Sequence, residues 1–225
     1  MKKYIILLLL TCSTSISFSQ IHEVGFFVGG TNYIGDIGSE SYINPNEIGF
    51  GVIYKYNLNP RIALRGTYSY LPLYANDENS KNTYRNNRGF SFSNVVHELA
   101  GGIEFNFFDY NIREYSTSFT PYILAELALI NYKNVSNYID SDNITYNDTS
   151  SYVIPVGLGV KGRLTDNLAY GVEIAARFTF TDDLDYTTPE ISDLDFAGYG
   201  NDHYIFTGVS LVYTFGRPPC YAPRE

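Results

Sequence analysis

The chain has 225 residues, enough for one domain of ordinary size, and its 44% hydrophobic content suits a folded protein rather than a disordered one. Its formal net charge of -9 disfavours nucleic acid as a partner, because phosphate binding needs surplus Lys and Arg. Trp is absent, so aromatic contacts fall to 22 Tyr and 15 Phe residues.

Residues 1–19 read as a secretory signal peptide. Met1, Lys2 and Lys3 form a positive start, Tyr4 through Leu10 is an unbroken apolar run, and Ser17-Phe18-Ser19 fits the small-x-small cleavage rule, leaving Gln20 as the mature N-terminus. The run is far short of the roughly 20 residues needed for a membrane-spanning helix. Cys12 loosely resembles a lipidation site, but Thr11 before it fits poorly and the downstream site fits better. Losing Lys2 and Lys3 takes the charge from -9 to -11, and losing Cys12 leaves Cys220 as the only cysteine. No later apolar run is long enough for a transmembrane helix, so a periplasmic or extracellular protein and an outer-membrane barrel are the classes left.

The mature chain alternates with period two almost throughout, the signature of strands. Eight segments are expected, at about 21–30, 47–56, 61–70, 94–108, 119–133, 151–164, 168–180 and 203–215. The clearest is the seventh, where Leu168, Tyr170, Val172, Ile174, Ala176, Phe178 and Phe180 oppose Ala169, Gly171, Glu173, Ala175, Arg177 and Thr179. In the fifth and sixth both faces carry apolar residues. Each segment suits a tilted membrane strand of about 9–11 residues, whereas ordinary soluble strands have about 5–6.

The connections alternate in length. Long ones are expected at about 31–46, 71–93, 134–150 and 181–202, with tight turns at Asn57-Leu58-Asn59-Pro60 and Thr165-Asp166-Asn167 and an intermediate one at about 109–118. Outer-membrane barrels have long extracellular loops and short periplasmic turns. The expected architecture is therefore an all-β, eight-stranded antiparallel transmembrane barrel over residues 20–215, held by outer-membrane lipids. Both termini are expected in the periplasm, followed by a Pro- and Cys-containing tail at 216–225.

Charges on the strands share one parity. Glu23, Glu47, Lys55, Arg61, Arg65, Glu98, Glu104, Glu126, Lys161, Arg163, Glu173 and Arg177 all fall on the less apolar face, six acids and six bases. An eight-stranded barrel has an interior only wide enough for side chains, so these charges are expected to pair as a structural plug rather than a pore. A soluble sandwich or lipocalin-like barrel would also alternate, with its apolar face inward. Long strands, large polar loops on alternate connections and the aromatic end of the last strand favour the membrane. Tyr54, Tyr56, Tyr68, Tyr70 and Phe107 suit interfacial girdles.

No catalytic, cofactor or metal site is expected. His22, His97 and His203 are scattered near strand ends, and there is no Cys/His cluster with metal-ligand spacing or nucleophile elbow. A His-Ser pair two residues apart, used by some outer-membrane enzymes, is not formed, because Leu99 stands at that spacing from His97. The acidic groups Asp182, Asp183, Asp185 and Asp140, Asp142, Asp148 are read as solvated loops rather than calcium sites, since the EF-hand pattern is missing. Cys220 has no partner in the mature chain, so it is either an inert terminal thiol or half of an intermolecular disulfide.

Three stretches resemble the PorG family. They are residues Ile21 through Asp36, the run Arg177-Phe178-Thr179-Phe180-Thr181-Asp182-Asp183-Leu184-Asp185-Tyr186, and Gly216-Arg217-Pro218-Pro219-Cys220. The resemblance spans the mature chain. It implies a small outer-membrane barrel of the type IX secretion system with a non-enzymatic scaffold role, docking the periplasmic ring of the lipoprotein PorK and its partner PorN. It also implies that Cys220 suits a covalent tie to the ring lipoprotein. The competing readings are a general small barrel acting as an OmpA-like anchor, adhesin or minor porin through its loops, and a lipid-modifying or proteolytic barrel enzyme.

Overall fold

The structure is a computed structural model that describes residues 21–110, 119–140, 143–188, 191, 194 and 200–216. The signal peptide assigned to residues 1–19 and the cysteine Cys220 lie outside the described residues. Eight strands follow one another around a closed barrel: β1 (Ile21–Ile34), β2 (Glu47–Asn57), β3 (Ile62–Asn76), β4 (Ser91–Asn106), β5 (Phe119–Asp140), β6 (Asn143–Arg163), β7 (Leu168–Thr179) and β8 (His203–Phe215). Every neighbouring pair is antiparallel, and β1 closes the ring on β8 from His22↔Phe215 to Ile34↔His203. No helix among the described residues is long and apolar enough to cross a membrane.

Period two decides which way each side chain points. Along β2 the buried positions Gly49, Gly51, Ile53 and Lys55 alternate with exposed Ile48, Phe50, Val52 and Tyr54. The outer wall is a belt of large apolar side chains, with Leu127 72% exposed, Phe26 62% and Leu99 60%. A surface so apolar and continuous is stable only against lipid, as in an outer-membrane barrel. Aromatic rings bound the belt. Toward the tight turns, His22 stacks with Phe215 and Tyr54, and Phe105 meets Phe107; toward the long connections, Phe50 stacks on Tyr70.

Four strands, β1, β3, β5 and β6, outrun their expected ends by four residues or more. β3 continues to Asn76 because Leu71, Leu73 and Ala75 keep the inward parity and are buried. Pro72 is tolerated there for a geometric reason. Its carbonyl accepts from the Thr31 hydroxyl, on the side where the β2–β3 ladder has already stopped at Phe50↔Tyr70, so the absent N–H forfeits no ladder bond.

The larger departure is at 134–150, expected as a long loop. Here β5 and β6 run on as one hairpin of 22 and 21 residues, pairing Asn134↔Asn147, Val135↔Tyr146 and Tyr138↔Ile144 with bulges between. β4 pairs with β5 only up to His97↔Asn131, and β7 with β6 only up to Thr179↔Val153. The end of the hairpin is therefore a two-stranded ribbon that stands clear of the barrel wall. Its polar residues fall on both faces, so it carries no period-two hydrophobic signal.

Candidate functional site: a filled barrel and its closed mouth

The interior near the tight turns is an ion-paired plug assembled from six strands. Glu104 of β4 is its hub: Lys55 Nζ from β2 lies 2.7 Å from Oε2 and Lys161 Nζ from β6 lies 2.5 Å from Oε1. Arg65 of β3 reaches Glu104 at 3.6 Å and Glu126 of β5 at 3.3 Å, and it binds Glu173 of β7 with two hydrogen bonds of 2.5 and 3.1 Å. The Tyr122 hydroxyl donates to Glu173 at 2.8 Å, and Lys161 lies 4.4 Å from the centre of the Tyr110 ring. Above this layer, Glu98 accepts from Tyr204 at 2.7 Å and from Arg177 at 3.4 Å, and Arg177 packs over Phe206.

The expectation of twelve balanced interior charges needs correction. Nine lie inside: Glu23, Glu98, Glu104, Glu126 and Glu173 against Lys55, Arg65, Lys161 and Arg177. Arg61 and Arg163 sit at the tight-turn rim, where they pair with Asp109 and Asp166, and Glu47 is half-buried at the other end of β2. Parity places a residue on a face but not at a depth, which is why the three rim charges were indistinguishable in the sequence. The surplus acid, Glu23, accepts from the Asn57 amide at 2.8 Å. This arrangement is structural: each charge is desolvated and held by fixed partners.

The opposite mouth is closed by the β7–β8 connection. After Thr179 the chain folds inward, burying Leu184, Asp185, Thr187 and Leu194. Leu184 sits beneath the mouth, with its carbonyl held by the Asn94 amide at 2.8 Å. Tyr33 of β1 donates toward two carboxylates, Asp185 at 2.8 Å and Asp202. Asp202 accepts the Leu184 N–H at 2.9 Å, and Asp185 accepts both the N–H and hydroxyl of Thr187 at 3.0 and 2.6 Å. Asp183 accepts from the Tyr132 hydroxyl at 2.5 Å and from the Asn134 amide, fastening the lid to the ribbon.

These acids are not the solvated loop expected for Asp182, Asp183 and Asp185. Asp185 and Asp202 are buried, and burial together with neighbouring carboxylates pushes both carboxyls up. Asp182 is pushed up to about 6, first by burial and then by Asp36, Asp185 and Asp183. The β3–β4 connection behaves oppositely. It holds a short helix, α1 (Thr83–Arg88), capped by Asn82 and by Gly89 in the left-handed region at φ 66°. Burial would raise Asp77 there, yet hydrogen bonds from Arg88, Gly38 N–H and Phe90 N–H hold its carboxyl below the usual range.

Of the other expected residues, Asp148 is exposed on β6, while Asp142 and the side chain of Asp140 lie outside the described ones. The three histidines stay apart: His22 and His97 bond the Tyr54 and Tyr68 hydroxyls at 2.7 and 2.9 Å, and His203 packs on Phe178. Among the described residues no group of three or more His, Cys, Asp or Glu is arranged to hold a metal ion. Sequence reasoning missed Tyr33, Asn94 and Asp202. Tyr33 and Asp202 fall in segments read as loops, and Asn94 opens a strand where an inward amide has no periodic signal.

Comparison with known proteins agrees with this fold. The chain is similar to the crystal structure of Ail, the attachment invasion locus protein of Yersinia pestis, in complex with the heparin analogue sucrose octasulfate, at 12% identity and a TM-score of 0.50, covering 88% of this chain and 99% of that one. Other similar structures are the N-terminal β-barrel domain of Pseudomonas aeruginosa OprF (14% identity, 88% and 98% covered, TM-score 0.46) and Neisserial surface protein A (12%, 87% and 97%, 0.46). No curated protein sequence matches the chain. The family model described as "Domain of unknown function (DUF6089)" matches residues 2–224, and the chain belongs to that family.

Proposed function

We propose that the chain is a non-enzymatic outer-membrane scaffold of a type IX protein secretion machinery, docking a periplasmic ring built from a PorK-like lipoprotein and a PorN-like protein. The observation that carries this reading is the filled interior. Glu104, Lys55, Lys161, Arg65 and Arg177 are all buried, and among the described residues the β7–β8 lid buries Leu184 and Leu194 at the far mouth, which leaves the ends and outer wall to act. The resemblance to the PorG family supplies the partner. Two of the resembling stretches carry the built features of the molecule: Ile21–Ile34 is the closing strand, and Thr181 through Tyr186 forms the lid.

In this reading the tight-turn end faces the periplasm with both termini, because short turns belong on that side of outer-membrane barrels. Docking falls to the turns near Asn57–Pro60 and Thr165–Asn167 and to the tail, with Cys220 forming a disulfide to the ring lipoprotein. The test is deletion of the chain in its host, with secretion of type IX cargo as readout, and a non-reducing immunoblot of outer membranes comparing the native chain with Cys220→Ser. Lost secretion and a high-mass band that collapses on reduction and is missing in the variant are the expected results. Normal cargo secretion sinks the scaffold reading; a purely monomeric band removes the disulfide alone.

The alternative is a general small barrel acting as anchor, adhesin or minor porin, favoured by the projecting β5–β6 ribbon. Its partner would differ from the sulfated sugar bound by Ail. Half-buried Asp36, Asp182 and Asp183 cluster at this end, and a polyanion would be repelled there.

A further inference from the structure

The lid is held over the far mouth by a buried chain of three oxygens. Tyr33 Oη of β1 stands between Asp185 Oδ2 of the lid, at 2.8 Å, and Asp202 Oδ1, just before β8. All three side chains are at most 4% exposed. The other carboxylate oxygens are taken: Asp185 Oδ1 accepts the N–H and hydroxyl of Thr187, and Asp202 Oδ2 accepts the Leu184 N–H. The base of the lid is fastened separately. There the Asp202 N–H donates to the Thr181 carbonyl at 2.9 Å, and the Thr179 hydroxyl donates to the Asp202 carbonyl at 2.6 Å. The two carboxyl groups thus hold Leu184 through Thr187 down on a base that is anchored without them.

Hydrogens can be counted along this chain. A phenol carries one hydrogen, and an ionised carboxylate only accepts. With both acids ionised, one hydrogen would serve two oxygen–oxygen contacts, and the second contact would set lone pair against lone pair away from water. One further hydrogen completes the chain: one carboxyl donates to Tyr33 Oη, and Tyr33 donates to the other. No cation stands in for that proton, since among the described residues neither Asp185 nor Asp202 enters a salt bridge. The ionisable groups around them are Asp36 on the β1–β2 connection, Asp182 and Asp183 on the lid, and Tyr132 on β5. Arg88 of the β3–β4 connection is bonded to Asp77 and to the Asp36 carbonyl, Arg177 of β7 is bonded to Glu98, and His203, next after Asp202, packs on Phe178. Burial first, and then neighbouring carboxylates, push both carboxyls up, the direction that retention of a proton requires.

We propose that the far mouth is a proton-operated latch: a single proton shared by Asp185 and Asp202 across Tyr33 keeps the lid closed, and its loss lets Leu184 through Thr187 swing out. Loss leaves two buried anions on either side of one phenol, and exposure to water relieves them. Opening uncovers Tyr33 and Phe92, which share one buried cluster with Leu184. The far end is then sealed in acid and presents aromatic surface in neutral to alkaline medium. The inference is independent of any role in secretion.

The closed lid binds one proton more than the open one, in which both acids return to the ordinary carboxylate range. Closure therefore weakens as pH rises, by up to about tenfold per pH unit for one proton. Asp182, pushed up to about 6, has shed most of its own proton by pH 7, so a fall above pH 7 belongs to the latch. The test uses the full mature chain in detergent micelles. Amide protection at 181–188, corrected for intrinsic exchange, should fall severalfold, and at most about tenfold, from pH 7 to pH 8. Asp202→Asn should abolish that fall and keep the lid closed, because its carboxamide donates to Tyr33 at every pH and still accepts from Leu184. His203 is unchanged in this variant, and unchanged heat-modifiable gel mobility verifies its fold. Asp182→Asn should leave the fall above pH 7 in place. Infrared spectra at pH 7 should show a protonated-carboxyl band in the native chain that is missing from Asp202→Asn. A native lid with no fall above pH 7, an equal fall in Asp202→Asn, loss of the fall in Asp182→Asn, or no difference in the carboxyl band overturns the proposal.

Discussion

The two ends of the barrel interior both bury carboxylates, but only one buries cations with them. Near the tight turns, Glu104, Glu126 and Glu173 are met by Lys55, Lys161 and Arg65 within 3.6 Å. At the far mouth, Asp185 and Asp202 share one Tyr33 hydroxyl and face further acids. The first arrangement is fixed, since each of these three carboxylates lies against a cation. The second is conditional: a carboxyl pushed up by burial and by its neighbours is content only while protons are plentiful. Buried charge therefore serves as a permanent filling at one end and as a condition-dependent closure at the other.

Four experiments break or sharpen this contrast. The largest effect should come from Glu104→Gln, which strands Lys55 and Lys161 in the dry interior. Removing one partner of a buried ion network costs roughly 3–5 kcal/mol, read as a lower urea midpoint for loss of the compact gel form. Next, Arg88→Met leaves Asp77 buried without its cation at a local cost of about 1–3 kcal/mol. Amide exchange across 77–90 should quicken while the barrel's unfolding midpoint stays put.

The third concerns pH. The folded lid holds Asp182 at about 6, above its ordinary value of 3.8, so between these values the folded state binds more protons than the open one. Lid stability must then fall as pH rises through this window, and exchange or proteolysis at 181–188 should increase from pH 4 to about 7. Asp182→Asn should flatten that rise. The β3–β4 connection should not respond over the same range, because Asp77 is held low and its tie to Arg88 fails only at more acidic pH. The smallest effect, about 1 kcal/mol, is expected for Asn94→Ala, seen as faster exchange of the Lys133 amide.

The fold was legible because a lipid-facing wall forces alternation. Every expected segment coincides with a strand, and Ile48 through Tyr54 could be assigned to faces from parity alone. Three things were not legible. Among the described side chains at 134–138 and 143–150 the ribbon buries only Val135, so nothing in its sequence repeats. The lid looked like solvated acid because Asp185 is buried against a partner, Tyr33, that is 152 positions away. The end of the β4–β5 ladder at His97↔Asn131 is the third, since hydrophobic pattern carries no information about where pairing stops.

The Glu104 hub also bears on how the molecule is made. Its cations arrive from β2, β3 and β6, and Arg65 in turn reaches β5 and β7. No consecutive run of three strands contains the whole network, because Arg65 of β3 bonds Glu173 of β7, and the seam from His22↔Phe215 joins the first strand to the last. A partly assembled sheet can pair Lys55 or Lys161 with Glu104 but leaves Arg65 without Glu173 until β7 has joined. Such a chain should fold in a single concerted step dominated by distant contacts, slow to form and equally reluctant to come apart.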